Sequence, residues 1–380
     1  MNIAIVVLFM NSFGKKGFYQ SQEFGMADAF AVKGYDVDVY RCITEQSYTE
    51  IRECRQGRSY GVYYNNVSRF GTHAIFDPES FFIKHYDAII AFCDTQLIVP
   101  RLERYCQRHG TRFIPYVGVT ESVAFSMTVK KHVMDAVFRN TTLKTYKRCD
   151  HIFCKNRDVM RSLVSFGVSE DRLIFSPVGI NLRMLNSRFR YDDIPAARDE
   201  LDFNGTDKVV LYVGRLNNEK RPLDMFRIID RLNHGAASGE TGYKLVMIGD
   251  GFLASEVERL AEERNHDCER VRYIKRVKYE EMWKYYAAAD YFVNLWDREV
   301  FGMAIVEAIY YMTPSFLISA PGPEVIAEGM EYAHICASDE EIVSRIRECH
   351  ADREGLERDR EKLINDLSWD RFVKNMEDTN

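Results

Sequence analysis

Glu299 and Glu307 are the two residues whose type and spacing most directly indicate chemistry. They lie on either side of Gly302, in a segment that follows a short apolar run at residues 291–295. A glycine in this place is expected to open a helix, whose first backbone N–H groups carry partial positive charge. A carboxylate can accept two hydrogen bonds from a vicinal diol such as a ribose. The segment predicts a site for an anion joined to a sugar, although an amphipathic helix with incidental acids would look the same.

A second segment supplies the positive charge that such a ligand needs. Gly214 follows the apolar run at residues 209–213, and Arg215 and Lys220 come shortly after it. The glycine would let the backbone turn sharply and approach a ligand. Arginine offers a planar fork of donors and lysine a point charge, a combination that suits a diphosphate. Taken alone, this segment also fits a solvated loop.

Three further motifs are less specific. Gly249-Asp250-Gly251 and Pro177-Val178-Gly179-Ile180-Asn181 each follow an apolar run, and both also suit ordinary turns. Asp36-Val37-Asp38 has the Asp-x-Asp spacing of a metal site, and alternation along a strand would place both acids on one face. No second metal cue accompanies this pair, so we predict no metal site.

The elements that must position these residues are short apolar runs that alternate with helical patterns. We predict strands at residues 3–9, 36–40, 86–92, 112–117, 151–154, 173–175, 209–213, 245–248, 271–274, 291–295 and 315–318. Such alternation favours crossover connections and mostly parallel sheets. Polar residues 186–207 interrupt the rhythm and suit a linker. The prediction is an α/β chain with two Rossmann-like, doubly wound domains facing a central cleft.

The composition fits an ordinary globular protein. The chain has 380 residues, of which 46% are hydrophobic, and a formal net charge of -6, which gives no indication of nucleic-acid binding. Its nine cysteines form no Cys-x-x-Cys pair, and we expect reduced thiols in a cytoplasmic protein. The apolar start lacks the basic region of a signal peptide, and no run reaches the ~18 apolar residues of a transmembrane helix.

Taken in order, the motifs of the second half resemble those of the family 4 glycosyltransferases, which have the GT-B fold. The matching motifs are Gly214-Arg215 with Glu219-Lys220, Gly249-Asp250-Gly251, Glu299 with Glu307, and Gly322-Pro323-Glu324. Pro177–Asn181 stands at the family's interdomain position. Ser368-Trp369 resembles the start of a C-terminal helix that returns to the first domain. The resemblance covers nearly the whole second half and is looser in the first.

This resemblance implies a domain plan and a role for each matching residue. Residues 1–190 would form the acceptor-side domain, 205–365 the nucleotide-sugar donor domain and 366–380 the returning helix. Arg215 and Lys220 would bind the donor diphosphate and stabilise the leaving group. Glu299 would contact the donor sugar, and Glu307 would hold the ribose hydroxyls. Further donor contacts are implied at Gly14, Gly214, Gly249, Phe301, Gly302 and Met303. The family retains the anomeric configuration and needs neither a metal nor a cofactor.

The chain departs from the family pattern around the nucleotide. Either Gly14 or Gly17 could stand for the family's paired glycines in the first loop. Leu295-Trp296 replaces a Pro-Ser pair, and Lys275 and Met312 stand where glycines are usual. These changes leave the base open between UDP and GDP types.

The resemblance implies that the acceptor is a saccharide or a lipid-linked saccharide. Residues 130–158 contain eight Lys or Arg and three Asp, which suits either an anionic surface at the inner face of the membrane or a solvated helix face. We therefore expect a hexosyltransferase-like enzyme of glycan or polysaccharide biosynthesis. The alternatives are a non-catalytic nucleotide-binding subunit of another glycosyltransferase and a nucleotide-sugar epimerase.

Overall fold

The computed structural model describes residues 1–8, 22–54, 57–120, 128–182, 185, 188–203, 206, 208–234, 242–265 and 269–379. The chain divides into two compact units. The first comprises Met1–Asn181 with Ser368–Asn380, and the second comprises Leu182–Leu367.

An eight-stranded sheet forms the centre of the first unit. The strands of this unit are β1 (Asn2–Val7), β2 (Asp36–Ile43), β3 (Tyr48–Glu53), β4 (Ser59–Asn66), β5 (Ser68–Phe70), β6 (His73–Ile75), β7 (Ala88–Phe92), β8 (Arg112–Val117), β9 (Ile152–Cys154) and β10 (Leu173–Phe175). The sheet order is β10-β9-β8-β7-β1-β2-β4-β3, and β5 and β6 form a separate ribbon. All pairs in the sheet are parallel except β3 with β4. The helices are α1 (Gln22–Val32), α2 (Pro78–Phe81), α3 (Val99–His109), α4 (Thr128–Asn140), α5 (Thr142–Tyr146) and α6 (Arg157–Ser165).

The order of this sheet reverses at β1, which pairs with β2 on one side and β7 on the other. Both β1 and β7 are continuous apolar runs and are buried along nearly their whole length, as parallel strands covered on both faces must be. In such sheets ligands bind outside the carboxyl ends of strands near the reversal. The loop after β7 is therefore of functional interest.

The second unit repeats this plan with a fully parallel six-stranded sheet. Its strands are β11 (Lys208–Val213), β12 (Tyr243–Ile248), β13 (Val271–Ile274), β14 (Tyr291–Asn294), β15 (Ser315–Ile318) and β16 (Ala333–Cys336), in the order β13-β12-β11-β14-β15-β16. Its helices are α7 (Ile194–Glu200), α8 (Asp224–Leu232), α9 (Ala254–Arg264), α10 (Tyr279–Ala288), α11 (Met303–Tyr310), α12 (Pro321–Ile326), α13 (Asp339–Glu348) and α14 (Arg353–Asp366). The order reverses between β11 and β14, so the loops after these strands leave the sheet side by side. The chain therefore contains two Rossmann-like units, as predicted.

The predicted linker at residues 186–207 is wrong in part, because α7 lies within it. Proline near the start of a helix is tolerated, since the first-turn N–H groups have no partner within the helix. Pro195 is such a residue. The helix is held from outside, because Arg198 donates to the Ala288 carbonyl at 2.8 Å and to Asp290 at 3.0 Å. These long-range contacts give no local signal in the sequence.

Helix α15 (Trp369–Glu377) packs within the first unit. Ser368 forms a parallel bridge with Ile180. A Cβ atom on Gly25 or on Gly179 would overlap the Trp369 ring, so both glycines make room for this side chain. The Pro177–Asn181 motif thus serves as a docking surface for the C-terminal helix.

The described part of the chain contains no helix that combines the length and apolar character of a membrane span. The eight cysteines in that part are all free, and seven of them are buried.

Candidate functional site

The loop after β11 carries Lys220 and holds its main chain at two points. The Asn217 Oδ1 atom accepts a hydrogen bond from the Lys220 backbone N–H at 3.1 Å and caps a short 3-10 turn. The Tyr212 hydroxyl donates to the Lys220 carbonyl oxygen, also at 3.1 Å. Arg215 lies in the same loop and is exposed. The backbone of Lys220 is therefore fixed before its side chain meets any ligand.

Arg221 joins this loop to two other elements. Its φ of +52° is left-handed, which costs a residue with a side chain about 1 kcal/mol. Its guanidinium donates to Asp224 at 2.7 Å and to both carboxylate oxygens of Asp339 at 2.8 Å. It also reaches the Leu295 carbonyl at 3.5 Å, just after β14. These bonds offset the backbone cost and hold the Lys220 loop against the end of β14.

Lys220 and Glu299 meet although 78 residues separate them in the chain. The Lys220 Nζ atom lies 2.7 Å from Oε2 of Glu299, and their side chains are only 15% and 11% exposed. The same Nζ atom lies 3.7 Å from the centre of the Trp296 ring. Burial lowers the pKa of Lys220, and the charge of Arg215 lowers it further, whereas Glu299 opposes both. The arrangement is a partly desolvated cation paired with a carboxylate.

The Gly249-Asp250-Gly251 turn packs directly on the loop after β11. A Cβ atom on Gly249 would overlap the Gly214 carbonyl oxygen, and one on Gly251 would lie 2.5 Å from the Leu216 carbonyl oxygen. The Leu216 backbone N–H donates to the Asp250 carbonyl at 3.0 Å. The close approach that these glycines permit is therefore between two loops of the protein itself.

Gly302 precedes α11, as the sequence predicts. Its φ is +92°, and a Cβ atom there would lie 2.6 Å from Cδ1 of Ile305 and 3.1 Å from Cγ of Glu299. Any side chain would thus crowd both the first turn of the helix and the acid beside it. Met303 is the first residue of the helix.

Glu307 lies on the buried side of α11 and is 1% exposed. Its Oε1 atom accepts a hydrogen bond from the Tyr279 hydroxyl at 3.3 Å. Tyr279 begins α10, and its contact with an acid on α11 was not predicted from the sequence. The tyrosine orients the carboxylate that the family resemblance assigns to the ribose.

The Gly322-Pro323-Glu324 motif supports the segment between the two acids. The Gly322 backbone N–H donates to the Glu299 carbonyl at 2.8 Å. A Cβ atom on Gly322 would lie 2.5 Å from the backbone N of Phe301, which is itself buried. The motif therefore fixes the main chain on which Glu299 and Phe301 stand.

Two of the departures from the family pattern have local explanations. Met312 stands where a glycine is usual. Its φ of +61° lies in the left-handed region that favours glycine. Lys275 also replaces a glycine, and its Nζ atom lies 3.9 Å from Oδ1 of Asp250. Arg276 donates to the other oxygen of Asp250 at 3.1 Å. The Asp250 carboxylate is thus engaged by two cations on the neighbouring loop.

The sequence analysis also considered Gly14, Gly17 and the Asp36-Val37-Asp38 motif. Gly14 and Gly17 lie outside the described residues. Asp38 accepts hydrogen bonds from the Tyr86 hydroxyl and the Gly61 backbone and pairs with Lys84 at 2.8 Å. In the described part of the chain no three His, Cys, Asp or Glu side chains are grouped to hold a metal ion.

The first unit contains two buried ionisable residues, Asp94 and Lys155, that the sequence analysis did not identify. Asp94 follows β7 and has a φ of +38°; its Oδ1 atom accepts N–H bonds from Gly118 at 2.5 Å and Val119 at 3.1 Å. Lys155 follows β9 and lies over the rings of Phe92 and Tyr116. Burial raises the pKa of Asp94 and lowers that of Lys155, and their mutual attraction opposes both shifts. Both groups lie near the carboxyl edge of the first sheet, where β7 meets its neighbours.

Not all cations of the predicted basic segment at residues 130–158 lie on the surface. Lys155 is buried, and Arg148 pairs with Glu103 at 3.4 Å. Arg139 lies over the Phe166 ring, 5.0 Å from its centre. Among the side chains of this segment that the structure describes, the exposed basic ones are Arg139, Lys144, Lys147, Arg148 and Arg157.

Nearly the whole second unit matches a known family. Residues 193–366 match the family model described as "Glycosyl transferases group 1". The chain is a glycosyltransferase. A comparison with curated protein sequences finds no significant match for it.

Solved structures resemble this glycosyltransferase over essentially its full length. A sucrose-phosphate synthase from Thermosynechococcus elongatus has a TM-score of 0.72 at 17% identity, covering 99% of this chain and 97% of that one. HepE from Anabaena in complex with UDP-glucose has a TM-score of 0.68 at 14% identity, covering 100% of both chains. The catalytic domain of starch synthase IV from Arabidopsis thaliana, bound to ADP and acarbose, has a TM-score of 0.65 at 13% identity, covering 99% and 98%. At these identities the likeness establishes the GT-B fold.

Proposed function

We propose that this glycosyltransferase belongs to family 4 and transfers a sugar, with retention of configuration, from a nucleoside-diphosphate sugar to a saccharide or lipid-linked saccharide. The observation that carries the proposal is the contact between Lys220 and Glu299 beside the reversal of the second sheet. It brings together the cation that we assign to the diphosphate and the acid that we assign to the sugar, at the edge where such sheets hold ligands. HepE and starch synthase IV, bound to UDP-glucose and to ADP, have the same fold.

Each residue of the cluster then has a role in the reaction. Lys220 and Arg215 bind the diphosphate and stabilise the negative charge that builds on it as the glycosidic bond breaks. Glu299 contacts the transferred sugar, and Glu307, oriented by Tyr279, holds the ribose hydroxyls. The main chain at Phe301, Gly302 and Met303, together with Gly214 and Gly249, shapes the donor site. No residue of the cluster has to act as a metal ligand in this scheme.

Two measurements test the donor. A thermal-shift screen over UDP-, GDP- and ADP-sugars should show one series that raises the melting temperature, because a ligand of the native state stabilises it. Lys220→Ala and Glu307→Ala should each lower transfer from that donor by about 100-fold or more. Parental transfer rates in both variants, with each one folded, would show that the site is assigned wrongly. Sugar conversion without any acceptor would instead indicate an epimerase.

We further propose that the enzyme acts in glycan or polysaccharide biosynthesis at the cytoplasmic face of a membrane. Arg139, Lys144, Lys147, Arg148 and Arg157 are exposed and supply the positive charge for anionic headgroups. Each basic residue near such a surface contributes about 1 kcal/mol. Sedimentation with phosphatidylserine vesicles should therefore show salt-sensitive binding, and a Lys144→Glu, Lys147→Glu double variant should bind less. Equal binding to neutral vesicles would contradict this part of the proposal.

A further inference from the structure

Trp296 is the residue of the cluster that the family resemblance does not explain, since a serine is usual there. It follows Leu295, which is buried, and is itself half-buried. Its ring centre lies 3.7 Å from the Lys220 Nζ atom, the shortest distance of this kind among the described residues. Tryptophan offers the most favourable ring face for a cation. Lys220 therefore has two partners, the Glu299 carboxylate at 2.7 Å and the indole face.

The contact is set by backbone constraints on both sides. The Trp296 backbone N–H donates to Oδ1 of Asn294 at 3.1 Å, and the preceding carbonyl, that of Leu295, accepts from Arg221. Lys220 is held by Asn217 and Tyr212 as described above. The distance between ring and ammonium thus does not depend on the Glu299 carboxylate alone.

The two partners of Lys220 differ in what else they have to contact when a donor binds. Glu299 is assigned to the sugar, so its carboxylate must be shared between the ammonium and the sugar hydroxyls. The indole ring has no oxygen that could accept a hydrogen bond from those hydroxyls, so it need not be shared in this way. We propose that Trp296 is a positioning residue that holds the Lys220 ammonium over its ring, where it meets the donor diphosphate. This inference rests on the donor site proposed above.

The test uses substitutions that separate the ring face from apolar bulk. Trp296→Phe keeps an aromatic face, whereas Trp296→Leu keeps apolar bulk without one. The affinity for UDP, GDP or ADP, whichever binds the parent most tightly, is measured by calorimetry. We expect Trp296→Leu to weaken binding by about tenfold and Trp296→Phe by no more than about threefold.

A second readout excludes a merely structural effect. In a Lys220→Ala background the change from Trp296 to leucine should have almost no further effect on affinity, because the cation it positions is gone. The charged groups that face Lys220 are Glu299, Arg215 and Glu219, and none of them changes in this cycle. Circular dichroism melting of each variant confirms that it is folded.

The possible results are distinct. The inference is supported if Trp296→Leu weakens nucleotide binding and Trp296→Phe largely restores it. It also requires that Trp296→Leu has no further effect on affinity in the Lys220→Ala background. Equal affinities of the leucine and phenylalanine variants, or additive losses in the double variant, overturn it while leaving the donor site intact. If the parent binds none of the three nucleotides, the proposed donor function fails, and the inference falls with it.

Discussion

A side chain on Gly249 would overlap the carbonyl oxygen of Gly214, because the loops after β12 and β11 touch through their backbones. Gly249→Ala must therefore push apart two loops of the donor site. Overpacking of this kind costs about 1–3 kcal/mol. We expect the free energy of unfolding to fall by about 2 kcal/mol and nucleotide affinity to fall with it. Urea unfolding and calorimetry would measure the two effects.

Gly214→Ala is the matched control for this prediction. A Cβ atom on Gly214 would meet nothing nearer than the Tyr212 hydroxyl at 3.4 Å, an ordinary contact. Stability should therefore change by less than about 0.5 kcal/mol. A loss of nucleotide affinity at unchanged stability would show that Gly214 itself faces the ligand. An equal loss of stability in both variants would contradict the packing argument.

The depressed pKa of Lys220 predicts a limit to donor binding at alkaline pH. Burial and the charge of Arg215 lower this pKa below the ordinary value of about 10.4. Since Lys220 attracts the diphosphate only in its protonated form, nucleotide affinity should fall as the pH rises through the folded-state pKa of Lys220. Lys220→Arg should remove this fall, because arginine stays charged. Nucleotide affinity measured from pH 7 to pH 10 would show the difference, and parallel profiles for both proteins would refute the assignment.

The same shift affects stability in a defined direction. Between the folded-state pKa of Lys220 and about 10.4, the unfolded chain binds more protons than the folded one, so this group's contribution to stability rises with pH. Comparison of the parent with Lys220→Arg would isolate that contribution.

The Arg221–Asp339 pair predicts that a substitution on α13 will disturb the donor site. Asp339→Asn removes the charge of a carboxylate whose two oxygens both accept from the Arg221 Nη2 atom at 2.8 Å and so help to hold the Lys220 loop. Loss of such a charge-assisted pair costs about 1.5–3 kcal/mol. We expect a lower free energy of unfolding and a raised KM for the donor.

Glu340→Gln is the control for Asp339→Asn on the same helix. Glu340 pairs with Arg231 at the surface, where both side chains are at least 49% exposed. Exposed ion pairs contribute about 0–1 kcal/mol. If Glu340→Gln raised the KM for the donor as much as Asp339→Asn does, a specific role of the Arg221–Asp339 contact in the donor site would be excluded.

The buried Asp94 predicts a large stability effect in the first unit. Asp94→Asn keeps an acceptor for the Gly118 and Val119 N–H groups but removes the carboxylate whose charge most strongly favours the Lys155 ammonium. An uncompensated buried charge costs about 3–5 kcal/mol. Asp150→Asn, at an exposed position, should change stability by less than about 0.5 kcal/mol. Similar urea midpoints for the two variants would show that Asp94 and Lys155 do not stabilise one another.

Much of the central architecture was readable from the sequence. The runs at residues 112–117, 173–175, 271–274 and 315–318 are strands with those bounds. The last of them is buried throughout, as a parallel strand covered on both faces should be. Gly302 indicated the start of α11, since a backbone with positive φ favours glycine. By contrast, β3 to β6 gave no such signal. Strand β3 lies at the sheet edge and alternates between exposed and partly buried residues, and β5 is fully exposed.

The sequence by itself determined the residue types of the donor loops and their order along the chain. Order and type are enough to suggest a diphosphate and a sugar, because they specify charge and hydrogen-bonding capacity. The tertiary structure alone decided which side chains meet. Lys220, Glu299 and Trp296 converge because the sheet order places β11 beside β14, and parallel strands bring their carboxyl ends to one edge. The left-handed Arg221 and the buried Asp94 likewise depend on partners distant in the chain, which no local pattern of residues can indicate.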